Sequence, residues 1–161
     1  HDAPLENLET LFRQALRFHL LSENRFNRWF VQEKNYAPFV EKLEALYRGL
    51  NPADFGALTS EDRVRYEAQA GGLMREKGWL PPLITEDPAV SPRLALDFNN
   101  CSSWHQAEVL GPIVTVTRFK NSQEAIKFAH TTFFASHAAG FSGTIEKSRD
   151  VAVQLQMPRG Y

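Results

Sequence analysis

Cysteine is nearly absent from this sequence: Cys101 is the only one among 161 residues. A single thiol excludes an internal disulfide framework and a cysteine-rich zinc site. Excess charge is missing too, since 18 Lys and Arg stand against 19 Asp and Glu. That balance argues against a nucleic-acid surface, which carries a basic excess. No apolar run approaches the roughly 20 residues of a membrane span, and the first residues show no signal-peptide pattern. Neither a Gly-x-Gly-x-x-Gly nor a P-loop spacing occurs, so no phosphate cradle is encoded. The chain opens at His1 without a Met, the mark expected of a processed product or an excised piece. What is present suits one layered domain over residues 1–161: 43% apolar residues supply a core, and 23% charged residues keep its surface wet. An intracellular, cytoplasmic protein is expected, with neither nucleic acid nor membrane as partner.

Hydrophobic spacing predicts a helix from Ala3 to about Phe18, with Asp2 as N-cap and Pro4 in the first turn. Arg28-Trp29-Phe30-Val31-Gln32 reads as a short buried strand. A second helix carries Phe39, Val40, Leu43, Leu46, Tyr47 and Leu50 on one face and ends before Asn51-Pro52. Thr59 and Asp62 form a capping-box start for a third helix running towards Lys77. Gly71-Gly72, in or at the end of that helix, suggests a close packing contact. The proline-rich stretch from Leu80 to Trp104 reads as loop with one short strand, Leu94–Phe98. Beyond it, Ile113–Phe119 is a strand, Ser122–His130 a helix, Ala138–Phe141 a strand and Ile145–Gln156 a helix, with another strand opening at Arg159. Such alternation predicts an α/β fold, a layered domain with a mainly parallel sheet flanked by helices.

Few residues carry obvious chemistry. His130 and His137 flank Phe133-Phe134, and His105 lies near Glu108, but none has metal-ligand spacing, so no metal is predicted. Ordinary surface or core histidines are the expected reading. Cys101, four residues before His105, is the only candidate thiolate, and an incidental thiol is favoured. Phe133-Phe134 suits packing better than a substrate cage, and Gly111-Pro112 suits a turn that starts the Ile113 strand.

The last third, "EVLGPIVTVTRFKNSQEAIKFAHTTFFASHAAGFSGTIEKSRDVAVQLQMPRGY", resembles the later part of the aldehyde dehydrogenase catalytic domain. That family shows E-E-x-F-G-P-V, a strand, an E-A-I helix and then A-N-x-T-x-Y-G-L-A-A. Upstream, "RWFVQEKNYAPFVEKLEAL" is similar to its R-x-x-V strand and following helix, and "FGALTSEDRVRYEAQ" to its G-P-L-I-S segment. "DAPLENLETLFRQAL" resembles the D-A-D-L-D helix before the nucleophile, so the resemblance covers nearly the whole chain in order.

The resemblance also implies what is lost. A cysteine thiolate in this family attacks the aldehyde, and the resulting hemithioacetal passes hydride to a nicotinamide cofactor. Its place, about five residues before Arg28, is taken by Glu23, or by Asn24 with the gap moved. Neither side chain replaces a thiolate, and Cys101 belongs to another segment. The general-base Glu and the cofactor-binding half would precede His1, and the final glycine-rich segment and pairing strand would follow Tyr161. Glu108 matches the glutamate that holds the nicotinamide-side ribose. The aromatic that follows it in the family is Leu110 here, and a backbone-capping carboxylate is the ordinary alternative. His130 replaces the family's Asn and Ala135 its Gly, and the proline-rich stretch is longer than the family's.

The resulting expectation is a non-catalytic aldehyde dehydrogenase-like module that acts by protein binding, assembly or regulation. On that reading no catalytic residue is assigned, Glu108 is a vestige of the cofactor contact, and a protein partner or self-association is implied. No cofactor is expected in isolation. The alternative is a domain of an NAD(P)-dependent aldehyde dehydrogenase, an oxidoreductase whose cofactor-binding half is missing from this chain. A structural protein of a filament or large complex is a third class, suggested by 12% aromatic residues and near-zero charge.

Overall fold

A strand whose first five residues are all buried, Ile113 to Thr117, sits at the centre of the fold. A computed structural model describes residues 7–16, 26–51, 54, 58–73, 78–80, 91–102, 111–132, 140, 142 and 144–155, with backbone alone at 72, 73 and 148. The elements run α1 (Leu8–Leu16), β1 (Arg28–Gln32), α2 (Glu33–Arg48), α3 (Ser60–Leu73), β2 (Arg93–Ala95), β3 (Ile113–Phe119), α4 (Ser122–Ala129) and α5 (Ile145–Gln154). The three strands form a sheet in the order β1-β3-β2, and both pairings are parallel. Central parallel strands are covered on both faces, which explains why β3 reads as a β-branched run rather than an apolar–polar alternation. Its two buried threonines are satisfied locally: Thr115 Oγ1 donates to the Asn27 carbonyl at 3.4 Å and Thr117 Oγ1 to that of Phe98 at 3.0 Å.

The two faces carry separate apolar clusters. Val114, Val116, Leu94 and Val31 pack with α1 (Leu8, Phe12, Ala15, Leu16) and α2 (Leu43, Tyr47). Ile113, Ala95 and Phe98 pack with Leu58 and with Tyr66 of α3, against half-buried Trp79. Fully burying a Leu or Phe stabilises by roughly 1.5–3 kcal/mol, so Phe12, Leu16 and Leu43 alone make α1 and α2 cooperative with the sheet. Tyr47 and Tyr66 each pin a helix to the segment before β2, donating to the carbonyls of Pro92 at 3.0 Å and Ser91 at 2.5 Å.

Local signals explain the helix starts. Thr59 Oγ1 accepts the Asp62 N–H at 3.1 Å and donates to its carboxylate at 2.7 Å. Asn121 Oδ1 accepts the Glu124 N–H at 3.0 Å, while Glu124 reaches back to the Lys120 N–H. Thr144 caps α5 through the Lys147 N–H. The α2 helix has no such side-chain cap; it follows β1 without a linker and starts well before the apolar stripe that signalled it.

Several expectations need correction. The strand β1 is short but only half-buried, with Val31 alone fully covered, because among the described residues it lies at the outside of the sheet. The Leu94–Phe98 strand is shifted to Arg93–Ala95, since the backbone bends at Leu96-Asp97. At the entry to the supposed loop, Gly78–Leu80 lines the free side of β2 in the antiparallel sense: Trp79 bridges Ala95, and Leu80 N–H reaches the Leu94 carbonyl at 2.9 Å. A Cβ on Gly71 would meet nothing within 4 Å, so that glycine marks no packing contact. Close contacts are instead at Gly78, with a φ of +100° against the Leu96 carbonyl, and at Gly111, with a φ of +93° against the Tyr66 ring. Gly111-Pro112 does turn the chain into β3, with Ile113 N–H donating to the Gly111 carbonyl at 2.9 Å. The Ala138–Phe141 strand, the Arg159 strand and the Asp2–Pro4 helix start fall outside the described residues, apart from Gly140.

Candidate functional site

The most polar interior feature is built around Arg28, the first residue of β1. Register places Arg28 beside Thr115, on the sheet face that carries Tyr66 and Phe98. Its guanidinium donates to Asn100 Oδ1 at 3.0 Å, the Phe128 carbonyl at 2.9 Å and Thr131 Oγ1 at 3.2 Å. Asn100 is itself buried and donates to Thr131 Oγ1 at 3.1 Å, so strand, post-β2 turn and α4 end are tied at one point. Phe30 packs on Phe128 with ring centroids 5.9 Å apart, and the guanidinium carbon lies 5.3 Å from the Phe30 centroid.

Arg28 is held by neutral acceptors throughout. Burial therefore acts on its charge with little return, and pulls its pKa down to about 10 from the ordinary 12.5. It still carries its full charge at neutral pH. The Nε atom is buried and finds no partner among the described residues. This arrangement can hold backbone in place; it offers no nucleophile and no general base. Nη2 already faces three protein acceptors and Nε is buried, so neither is open to a nicotinamide cofactor.

A second polar cluster lies on the opposite face. Asp97 has a φ of +52°, in the left-handed region that few residues other than glycine adopt. Arg118 grips its carboxylate with two bonds, Nε to Oδ1 at 2.7 Å, and stacks 5.0 Å from the centroid of the Tyr36 ring. The Tyr36 hydroxyl accepts the Asp97 N–H, and burial raises the pKa of that phenol.

Glu108, Glu23, Asn24, His105, His137, Phe133, Phe134 and Ala135 all fall outside the described residues. Cys101 is exposed, on the turn next to Asn100, with its N–H donating to Asn99 Oδ1 at 3.0 Å. His130 is exposed at the end of α4, where its Nε2 lies 3.2 Å from the Gln154 carbonyl. Among the described residues no three potential ligands gather into a metal site, and no helix is long and apolar enough to cross a membrane. In the sequence Arg28 is one letter of a strand motif and Asn100 lies in a polar loop cluster, so neither stands out as a site residue. An isolated arginine in an aromatic strand was the available signal, because a charge there requires interior acceptors.

A parallel sheet with helices packed on both faces and a tied polar interior places the chain in the α/β class of layered domains. The aldehyde dehydrogenase family model matches residues 24–159, and the chain belongs to that family. It is 40% identical over 63 residues to betaine aldehyde dehydrogenase of Bacillus subtilis, a stretch covering 37% of this chain and 13% of the relative. It is 27% identical over 146 residues to the 4,4'-diapolycopene aldehyde oxidase of a Methylomonas species, covering 81% of this chain and 26% of the relative. The fold is similar to that of an NAD-dependent benzaldehyde dehydrogenase from Corynebacterium glutamicum, with a TM-score of 0.84 and 17% identity over 98% of this chain and 36% of that one. An NAD-dependent aldehyde dehydrogenase from Sinorhizobium meliloti gives 0.81 and 20%, over 98% of this chain and 34% of that one. The chain thus spans between 13% and 28% of the length of the curated relatives it matches.

Proposed function

We propose that this chain is part of an NAD(P)-dependent aldehyde dehydrogenase and supplies its catalytic-domain frame, with the cofactor-binding half lying in other sequence. The family match across residues 24–159 carries this reading, because it joins the elements from β1 to α5 into one unit of a known oxidoreductase family. Arg28 and its three acceptors hold the start of β1, the strand that follows the family's nucleophile segment. Glu108, by resemblance, would face the nicotinamide-side ribose. The cofactor, when bound, supplies hydride acceptance. This reading is preferred to the binding module that the altered nucleophile position suggested.

That altered position supports a second reading. With Glu23 or Asn24 at the family's cysteine place and the only thiol exposed on the turn after β2, a member that binds without turnover is the natural rival. It would act on a protein partner or on further copies of itself. The two separate in one assay: the intact protein is given NAD⁺ or NADP⁺ with a panel of aliphatic and aromatic aldehydes, and cofactor reduction is followed. Aldehyde-dependent reduction supports the enzyme; its loss in Cys101→Ser would name the thiol. Absent reduction together with absent cofactor binding by calorimetry supports the binding module.

A further inference from the structure

Pairing of β2 with β3 starts in regular parallel register: Arg93 sits beside Ile113 and sends its N–H to the Pro112 carbonyl at 2.8 Å. Continued regularly, the N–H of residue 97 would reach the Val116 carbonyl. The bond is made instead by Phe98, at 2.9 Å. The chain has therefore taken in one extra residue, as a β-bulge does. That residue is Asp97, since Leu96 keeps its regular place with Leu94, Val114 and Val116, whereas Phe98 joins Ala95 and Ile113 on the other face.

The insertion changes which side chains meet Arg28. Side chains alternate between faces along extended backbone, so a shift of one residue exchanges the sets. Without it, Asn99 would follow Ala95 towards the Arg28 face and Asn100 would turn away. With it, Phe98 enters the core and Asn100 reaches the Arg28 guanidinium. The insertion needs the left-handed backbone at Asp97, and Asp97 is held on both sides: its N–H on the Tyr36 hydroxyl and its carboxylate on Arg118.

We infer that Asp97 is a positioning residue: clasped by Tyr36 and Arg118 on one sheet face, it sets the register that presents Asn100 to Arg28 on the other. The clasp couples α2 and the end of β3 to the start of β1 through three consecutive residues, Phe98, Asn99 and Asn100. The clasp acts in the same way whether or not the protein turns over aldehydes.

Amide hydrogen exchange by mass spectrometry on the intact protein tests it, read in segments 98–102 and 26–30. Asp97→Gly keeps the left-handed turn without the carboxylate, and Tyr36→Phe removes only the hydroxyl. Each should speed exchange in both segments, by about tenfold for a lost hydrogen bond of ordinary strength. In an Asn100→Ala background the effect on 26–30 should vanish while that on 98–102 persists. Faster exchange confined to 98–102 overturns the inference, as does an undiminished effect on 26–30 without Asn100. Should Asp97→Gly loosen the whole protein, Tyr36→Phe decides alone, and unchanged exchange in both segments then counts against the clasp.

Discussion

A Cβ placed on Gly111 would stand 2.3 Å from Cδ2 of Tyr66, inside the buried ring that anchors α3. The positive φ of Gly111 adds a second demand that a side chain meets poorly. Gly111→Ala should therefore destabilise by about 3 kcal/mol or more, through overpacking and backbone strain together. Urea unfolding monitored by tryptophan fluorescence measures it, and a change below about 1 kcal/mol would show that Tyr66 yields freely.

Removing the Arg28 side chain takes one donor each from Asn100 Oδ1, Thr131 Oγ1 and the Phe128 carbonyl, which keep only their other bonds. The node is only partly buried, so water repairs some of the loss, and Arg28→Ala should cost about 2 kcal/mol. Arg28→Lys should recover little of it, because all three bonds leave one nitrogen, Nη2, and the lysine ammonium ends one atom short of that point. Unfolding midpoints of the two variants that differ widely would contradict this geometry.

Alkaline pH should act on Tyr66, and in the same sense on half-buried Tyr36. Burial raises the pKa of Tyr66 well above the ordinary 10.0, so the folded state keeps the phenol proton where the unfolded chain has lost it. Folded protein then binds more protons than unfolded, and stability falls as pH rises beyond 10. The buried Arg28, lowered to about 10, acts in the opposite sense over the same range, since its folded form sheds a proton first. Tyr66→Phe should flatten the fall in stability between pH 10 and 12, at the cost of the bond to the Ser91 carbonyl. An unchanged slope would assign the alkaline loss elsewhere.

Pro38 lies inside α2 and is exposed. It withholds one helical N–H and crowds the preceding turn. Pro38→Ala should stabilise the fold by about 1 kcal/mol or more, the helix gain being partly offset by a freer unfolded chain. A lower thermal midpoint in that variant would mean that the proline serves a packing role.

Legibility divided along the range of the interactions involved. The β3 boundaries and the starts of α3, α4 and α5 were readable because strand bias and Thr59, Asn121 and Thr144 act within a few residues. The family resemblance was readable for a similar reason, as an ordered series of short motifs that the match over residues 24–159 bears out. The early start of α2 was hidden because its first turn has no cap and no apolar stripe. The candidate site was the least legible part: the motif positions Glu108 and Glu23 gave chemistry by analogy, whereas the residues that converge are Arg28, Asn100 and Thr131.

By itself the sequence determined the alternation of helices and strands, the family, and the presence of one cysteine, Cys101. Those depend on residue identity and near neighbours. Only the tertiary structure decided that Gly111 rather than Gly71 meets a buried ring, and that Asn100 rather than Asn99 receives Arg28. The Arg28 bonds join residues 72, 100 and 103 positions apart, and one inserted residue at Asp97 chooses which face the turn presents. Contacts at such separation are set by how packed layers register against one another, which no local pattern of side chains encodes.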